Sequence, residues 1–198
     1  MKHDVKLNAT GIILAGGKNS RMKKNKAFLE LDGQPLIERS LAVLQTVFAE
    51  VLISSNNPEL YARYNVPVIQ DQTLNRGPLE GLYQGLKAAS HDVVFFVACD
   101  MPFLNAELIR LLAKWVPEYD IVVPRLQSGT EQLHAFYHRR CLPTIERNLE
   151  EGLLKVRALF QTCSVRYVEE VELEAFSELS KAVCNVNTPD DWSAIFRG

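Results

Sequence analysis

A short apolar run, residues 11–15, ends at the glycine pair Gly16 and Gly17, and this junction constrains the fold more than any other stretch of the chain. A continuous apolar run indicates a strand buried within a sheet. Two glycines let backbone N–H groups approach an anion closely. The cations that follow include Arg21 and Lys26, which suit phosphate as a planar fork and as a point charge. The pattern predicts a strand and a nucleoside triphosphate loop; the structural alternative is a solvated basic loop.

Two familiar phosphate-binding motifs are missing from residues 11–26. A Walker loop needs Gly-Lys followed by Ser or Thr, and a dinucleotide fingerprint needs Gly-x-Gly-x-x-Gly. The predicted loop is therefore of another kind.

Composition and charge exclude several classes of protein. A net charge of −2 over 198 residues gives no electrostatic reason to expect a nucleic-acid or membrane partner. Residues 1–10 are polar, which predicts no signal peptide, and no apolar run reaches the length of a membrane span. The four cysteines form no Cys-x-x-Cys pair and are expected to be reduced thiols. We predict one cytoplasmic domain over residues 1–198.

Strand-like and helix-like segments alternate along the chain, which predicts an α/β fold with a mainly parallel central sheet and helices on both faces. The predicted strands after the first are 51–53, 67–69, 93–98, 120–124 and 165–168, with weaker alternation at 27–31 and 131–138. Helical spacing of apolar residues is clearest at 35–47, 78–86, 105–115 and 152–160. The continuous apolar run 93–98 is the predicted central strand.

Two carboxylates follow predicted strands. Asp71, with Arg76 and Gly77, comes after strand 67–69, and ligands of open α/β sheets lie beyond the carboxyl ends of the strands. Asp100 lies at the tip of strand 93–98, just before Pro102. A carboxylate at such a tip is costly unless it is paired or bound to a metal, which predicts a Mg²⁺ ligand. For each carboxylate the alternative is a capping or turn residue.

In addition, the chain resembles the molybdenum cofactor guanylyltransferases, a branch of the nucleotidyltransferases with a Rossmann-like domain. The matching motifs are Leu14-Ala15-Gly16-Gly17 with Arg21-Met22 and Lys26, then Asp71 with Gly77-Pro78-Leu79, then Cys99-Asp100-Met101-Pro102, and finally Asn185-Val186-Asn187-Thr188-Pro189. A further match, Gly129 with Glu131, Leu133, His134 and Ala135, has Gln132 where the family usually has Pro. Lys23 replaces a usual Gly, and Asn25 replaces a usual Asp.

The resemblance implies transfer of GMP from GTP to the terminal phosphate of molybdopterin, giving the guanine dinucleotide cofactor and pyrophosphate, with Mg²⁺ as cofactor. The implied catalytic residues are Arg21, Lys26 and Asp100, and Asp100 is also the metal ligand. The implied GTP-binding residues are Leu14, Ala15, Gly16, Gly17, Lys26, Ser54, Asp71 and Asp100. The implied pterin-side residues are His134, Asn185 and Asn187. A structural role is the alternative for His134 on its strand and for the two asparagines, which precede a predicted helix start at Thr188 and Pro189.

Three other functions stay open. A cytidylyltransferase acting on the same pterin usually has Leu-Ala-Ala-Gly in the first loop. A sugar-phosphate nucleotidyltransferase shares the fold and the metal carboxylate but is normally longer. A nucleotide-binding regulator without catalysis would fit the changes at Lys23 and Asn25. The expected partners are GTP and molybdopterin as substrates, with cofactor-insertion chaperones or molybdoenzymes as further candidates.

Overall fold

The computed structural model describes residues 5–16, 25–173 and 182–183, and within them one eight-stranded sheet forms the centre of the fold. The strands in chain order are β1 (Leu7–Leu14), β2 (Glu30–Leu31), β3 (Gln34–Pro35), β4 (Phe48–Ser54), β5 (Val68–Ile69), β6 (Val93–Ala98), β7 (Ile121–Leu126), β8 (Gly129–Thr130), β9 (His134–His138) and β10 (Val165–Glu169). Strands β2 and β3 form a separate hairpin.

Helices connect most of these strands. They are α1 (Leu36–Val47), α2 (Gly77–Ala88), α3 (Ala106–Leu112), α4 (Leu142–Glu150) and α5 (Glu170–Leu173). Short 3₁₀ segments lie at Lys26–Phe28, Pro58–Tyr64, Ala113–Trp115, Arg139–Cys141 and Val156–Gln161. Over the described ranges, none of the helices is both long and apolar enough to cross a bilayer.

The strand order is β10-β7-β9-β6-β1-β4-β5, with β8 paired to β7. The pairs on either side of β1, together with β4–β5 and β7–β10, are parallel. Strand β9 runs antiparallel to both of its neighbours, β6 and β7. The sheet is thus mainly parallel, as predicted, and β6 is its middle strand, as the continuous apolar run indicated.

Apolar cores cover both faces of the sheet, because alternate residues of a strand point to opposite sides. In β1, Ile13 belongs to one core and Ile12 to the other. The first core is closed by the apolar stripes of α1 and α3, and the second by those of α2 and α4. Helices on both faces are therefore confirmed.

Close packing of α2 against the sheet depends on two glycines. A Cβ at Gly85 would lie 2.5 Å from Phe96 Cε1, and a Cβ at Gly81 would lie 3.0 Å from Leu14 Cδ2. Because α2 lies this close, its first turn is held beside the carboxyl ends of β1 and β6.

Two local predictions were wrong in detail. Residues 27–31 are not one strand, because Lys26–Phe28 forms a 3₁₀ turn in which the Asn25 side chain accepts from the N–H of Ala27. Only Glu30–Leu31 pairs, across a tight turn in which Asp32 and Gly33 both have positive φ. The apolar face at 152–160 belongs to a 3₁₀ segment, Val156–Gln161, and not to an α-helix.

Candidate active site

Five strand ends meet along one edge of the sheet. Leu14, the last residue of β1, stands in register with Ser54 of β4 and Ala98 of β6. Hydrogen bonds extend this register into the loops: Ala15 N donates to Ser54 O at 2.8 Å, and Cys99 N donates to Leu14 O at 3.2 Å. The loop after β5 lies at one side and the residues before β9 at the other. These loops enclose a cleft of about 900 Å³.

An ion pair occupies the middle of this cleft. Lys26 Nζ donates to Asp100 Oδ2 at 2.8 Å, and both side chains are largely shielded, with 22% and 15% of their surface exposed. The pair joins the first loop to the tip of β6, so the structure brings these two predicted residues together. A cation and a carboxylate at this point can neutralise phosphate oxygens and hold a hard metal ion.

A small hydrogen-bonded network positions Lys26. Asn25 Oδ1 accepts from Ala27 N at 3.1 Å, which caps the 3₁₀ turn that begins at Lys26. Asn25 Nδ2 donates to the hydroxyl of Tyr61, and that hydroxyl donates to Ala15 O at 3.3 Å. Tyr61 is fully buried, and burial raises its pKa. Asn25 thus uses its amide hydrogens, which an aspartate would lack.

The end of the cleft near β4 and β5 carries a reciprocal pair of polar side chains. Asn56 Nδ2 donates to Asp71 Oδ2, and Asp71 N donates to Asn56 Oδ1, each at 2.9 Å. Burial raises the pKa of Asp71. Ser54 is buried and also lines the cleft. Asp71 and Ser54 were both predicted from the sequence to lie in the site, whereas Asn56 carries no functional signal in the sequence.

The opposite end is formed by the residues just before β9. Glu131, Gln132 and Leu133 line it, and Leu133 O accepts from Ala98 N at 3.0 Å, which fixes this segment to β6. Burial raises the pKa of Glu131. Beyond its place in the family motif, this carboxylate carries no functional signal in the sequence.

His134 lies differently from the other predicted residues. Its side chain is 0% exposed and packs edge-to-face on Phe95, with ring centroids 5.1 Å apart. Neither ring nitrogen has a hydrogen-bond partner among the described residues, and burial lowers the pKa to about 3. The ring points into the core under α1 and α3, and the structure does not bring it into the cleft. Contact with the second substrate stays a prediction.

Cys99 lies beside Asp100 in the cleft wall. Burial, with a smaller contribution from the Asp100 charge, raises the pKa of the Cys99 thiol to about 12. The thiol therefore stays protonated at neutral pH, in keeping with a packing role.

Several predicted residues fall outside the described ranges. These are Gly17, Arg21, Lys23, Asn185 and Asn187. Leu14, Ala15, Gly16, Lys26, Ser54, Asp71 and Asp100 all line the cleft.

A cleft at the carboxyl ends of a mainly parallel sheet, with helices on both faces, is the usual position of the ligand in an open α/β protein. Sequence and structure comparisons agree with this class. The family described as MobA-like NTP transferase domain matches residues 11–169. A probable molybdenum cofactor guanylyltransferase from Pelotomaculum thermopropionicum is 40% identical over 93% of this chain and 90% of its own length.

Two further proteins agree. A molybdenum cofactor guanylyltransferase from Desulfosudis oleivorans is 37% identical over 92% of this chain and 91% of its own. The crystal structure of molybdopterin-guanine dinucleotide biosynthesis protein A from Archaeoglobus fulgidus superposes with a TM-score of 0.83, at 25% identity, over 93% of this chain and 95% of that one. The chain belongs to the molybdenum cofactor guanylyltransferase family, a group of nucleotidyltransferases, and the family resemblance is confirmed.

Proposed function

We propose that this protein transfers GMP from GTP to the terminal phosphate of molybdopterin, which forms the guanine dinucleotide cofactor and releases pyrophosphate. The observation that carries the proposal is the shielded Lys26–Asp100 ion pair in the middle of the cleft, in a chain of this family. A phosphoryl transfer needs a fixed cation and a metal-binding carboxylate at the point where the two substrates meet.

The reaction does not need a strong catalytic base. The attacking group is a phosphate monoester, whose second pKa is about 6 and which is therefore mostly dianionic at neutral pH. Of the described residues that line the cleft, none is a histidine. Catalysis then consists of bringing the two phosphates into line and neutralising their charge.

Asp100 is the proposed magnesium ligand. Magnesium prefers oxygen ligands, keeps several waters, and is commonly held by one or two carboxylates together with substrate phosphates. Within the described residues no group of three or more His, Cys, Asp or Glu side chains gathers as a metal site, and a single carboxylate facing the phosphates fits that mode. When bound, Mg²⁺ supplies charge neutralisation at the phosphoryl oxygens.

The cations and backbone donors hold the triphosphate. Lys26 exchanges its contact with Asp100 for phosphate oxygens. Gly16 and Gly17 present backbone N–H groups, and Arg21 forms a planar fork on the phosphates. The roles of Gly17 and Arg21 are assigned from the sequence. The catalytic set is thus Arg21, Lys26 and Asp100.

The guanine ring is assigned to the β4–β5 end of the cleft. The Asp71 carboxylate, which is hydrogen-bonded to Asn56, and Ser54, which lines the same cleft, supply hydrogen-bond acceptors and donors there. Leu14 and Ala15 contribute backbone at the inner wall. The pterin side is assigned to Asn185 and Asn187 on the strength of the family motif, whereas the predicted contact of His134 would require its buried ring to leave the core.

We also propose that residues 1–198 form one domain, because a single sheet spans residues 7–169. The thiols at Cys99, Cys141 and Cys163 suit a reducing compartment, and a cytoplasmic location is proposed. Cofactor-insertion chaperones or molybdoenzymes are proposed recipients, since the product is a prosthetic group for other proteins.

A turnover assay tests the function. The purified protein is incubated anaerobically with molybdopterin, Mg²⁺ and either GTP or CTP, and pyrophosphate and dinucleotide are quantified. We expect guanine dinucleotide from GTP and little product from CTP. Preference for CTP would indicate the cytidylyltransferase, and turnover with a sugar phosphate in place of molybdopterin would indicate the sugar-phosphate enzyme. Binding of GTP without any turnover would indicate the regulator.

A further inference from the structure

Two half-buried carboxylates mark the opposite ends of the cleft, and their surroundings differ. Asp71 exchanges two hydrogen bonds with Asn56. The Glu131 carboxylate has no hydrogen-bond or ion-pair partner among the described residues, although it lines the same cleft. A carboxylate removed from water without a donor is unfavourable. A ligand that brings N–H donors would remove this cost.

The backbone around Glu131 holds the side chain in place. Glu131 N donates to Pro124 O at 3.1 Å, and Glu131 O accepts from His134 N at 3.0 Å. The next residue, Gln132, accepts at its carbonyl from the Tyr137 hydroxyl at 2.9 Å. The segment is therefore tied to β7 and β9, and the carboxylate is presented from a rigid support.

The order of strands separates the two carboxylates. Asp71 follows β5 and Glu131 precedes β9, and four strand intervals lie between them in the order β5-β4-β1-β6-β9. At about 4.8 Å per interval this is roughly 19 Å, with Lys26 and Asp100 in between. Two ring systems joined through phosphates would therefore place one ring near each carboxylate.

The two substrates present the same hydrogen-bonding edge. Guanine and a pterin both contain a 2-amino-4-oxopyrimidine ring, in which a ring N–H and an amino group stand side by side. The two oxygens of a carboxylate accept from such a donor pair. One carboxylate at each end of the cleft matches one such edge on each substrate.

We propose that Glu131 recognises the pterin ring of the second substrate by accepting hydrogen bonds from its ring N–H and 2-amino groups, as Asp71 is placed to do for guanine. This inference rests on the proposed function, because it takes a pterin as the second substrate. It assigns a binding residue at the β9 end, on the side of the reacting phosphates away from the nucleotide.

The test compares Glu131→Gln with Asp71→Asn, two changes that each turn one acceptor oxygen into a donor without altering size. For Glu131→Gln we expect KM for molybdopterin to rise about tenfold or more, as for loss of a charged hydrogen bond, with KM for GTP within twofold of wild type. For Asp71→Asn we expect the reverse. Thermal melting checks that both variants are folded.

A pair of analogues gives a readout that does not need turnover. A pterin with a phosphooxymethyl side chain is compared with its lumazine counterpart, in which oxygen replaces the 2-amino group, by the change in ligand fluorescence on binding. Wild type is expected to bind the pterin more tightly, and Glu131→Gln is expected to lose that preference.

The inference is overturned by an unchanged KM for molybdopterin in Glu131→Gln, by a parallel rise in KM for GTP, or by a retained preference for the pterin analogue. A raised Mg²⁺ requirement with the preference intact would make Glu131 a metal-site residue and would also overturn it. Failure of the proposed function looks different, since wild type would then form no dinucleotide from GTP and molybdopterin.

Discussion

The parallel strands begin along one side of the sheet, here called the amino edge, and end along the other, the carboxyl edge. The two edges use polar side chains in opposite ways. Near the amino ends of β1 and β6, Thr10 Oγ1 donates to Glu50 Oε2 at 2.6 Å, and Ser90 donates to the same carboxylate through its backbone N–H and its hydroxyl, each at 2.8 Å. His91 Nδ1 lies 2.9 Å from the Thr10 oxygen and belongs to the same network. This network joins β1, β4 and the turn before β6.

The carboxyl-end edge contrasts with this arrangement. Lys26 and Asp100 pair with each other across the cleft, and Glu131 has no partner within the described part of the chain. Polar groups at the amino edge are paired with one another within the fold, whereas we propose that those at the carboxyl edge are placed for a ligand. The comparison predicts that substitutions at the carboxyl edge change catalysis, and that those at the amino edge change stability.

The largest effect is expected at the tip of β6. Asp100→Ala should reduce kcat for GMP transfer by about a thousandfold or more, because it removes the proposed metal ligand at the reacting phosphates. The free energy of unfolding should change far less than catalysis, by about 1 kcal/mol, because the Lys26 ammonium group that loses its partner lines an open cleft where water can solvate it. Steady-state turnover and urea unfolding measure the two quantities.

A matched control lies at the other end of the same strand. Asp92 immediately precedes β6 and forms an ion pair with Arg139, with its side chain 71% exposed. Asp92→Ala should leave turnover within twofold of wild type. Wild-type activity in Asp100→Ala at saturating Mg²⁺ would refute the metal assignment.

The next effect is expected at Lys26. Lys26→Ala removes a charge-assisted contact worth about 1.5–3 kcal/mol, so Kd for GTP should rise roughly ten- to a hundredfold and kcat should fall. Isothermal titration with GTP measures the affinity. The exposed Lys87, whose ammonium group lies over the Tyr83 ring, provides a control, and Lys87→Ala should bind GTP normally. Equal affinities in both variants would make Lys26 an ordinary surface cation.

These two predictions use residues that the sequence located well, and the reason is physical. Residues 93–98 form β6 with the predicted bounds, because six consecutive apolar residues ending at Asp100 and Pro102 allow few other structures. Helix α2 begins at Gly77, one residue before the predicted helical segment 78–86. Asn105, the first residue of the predicted helical segment 105–115, caps α3 by accepting from two backbone N–H groups. Each of these signals is local in the chain.

Other features depend on which strands become neighbours, and local patterns do not carry that information. Strand β9 enters the sheet antiparallel between β6 and β7, and only this insertion brings Glu131 to the cleft. Tyr61 looks like one apolar residue of a short helical segment, yet its hydroxyl joins Ala15 to Asn25. Asn56 becomes a partner of Asp71 only because β4 and β5 pair in parallel. These residues were missed for that reason.

A third prediction addresses the amino edge. Glu50→Gln replaces one acceptor oxygen by an amide donor that faces the donors of Thr10 and Ser90. The free energy of unfolding should fall by about 1–3 kcal/mol, while kcat and both KM values stay unchanged. Urea unfolding measures the free energy of unfolding, and the turnover assay measures kcat and the two KM values. Lost activity with an unchanged free energy of unfolding would contradict the assignment of Glu50 and the amino edge to stability.

The effect of Glu50 should also depend on pH. Burial alone would raise its pKa, but the hydrogen bonds from Thr10 and Ser90 and the nearby His91 outweigh burial, and the pKa is lowered. The ionised carboxylate therefore stabilises the fold above the unfolded-state pKa of about 4.3. This contribution is lost as pH falls through the folded-state pKa. We expect the difference in the free energy of unfolding between wild type and Glu50→Gln to shrink as the pH falls through the folded-state pKa of Glu50. Urea unfolding between pH 7 and pH 3 measures this difference.

The smallest effect is expected where a buried network meets the cleft. Tyr61→Phe keeps the ring and removes only the hydroxyl that accepts from Asn25 and donates to Ala15 O. Loss of one buried hydrogen-bonding group should lower the free energy of unfolding by about 1 kcal/mol. KM for GTP should rise a few-fold, because Asn25 caps the turn that presents Lys26.

Asn25→Ala combined with Tyr61→Phe should then add little to the loss of GTP affinity seen in Asn25→Ala alone, since both act through the same turn. Additive losses in the double-mutant cycle would show that Tyr61 acts independently of the turn that presents Lys26. Tyr61 would then belong with the stabilising residues, although its hydroxyl bonds to residues that line the cleft.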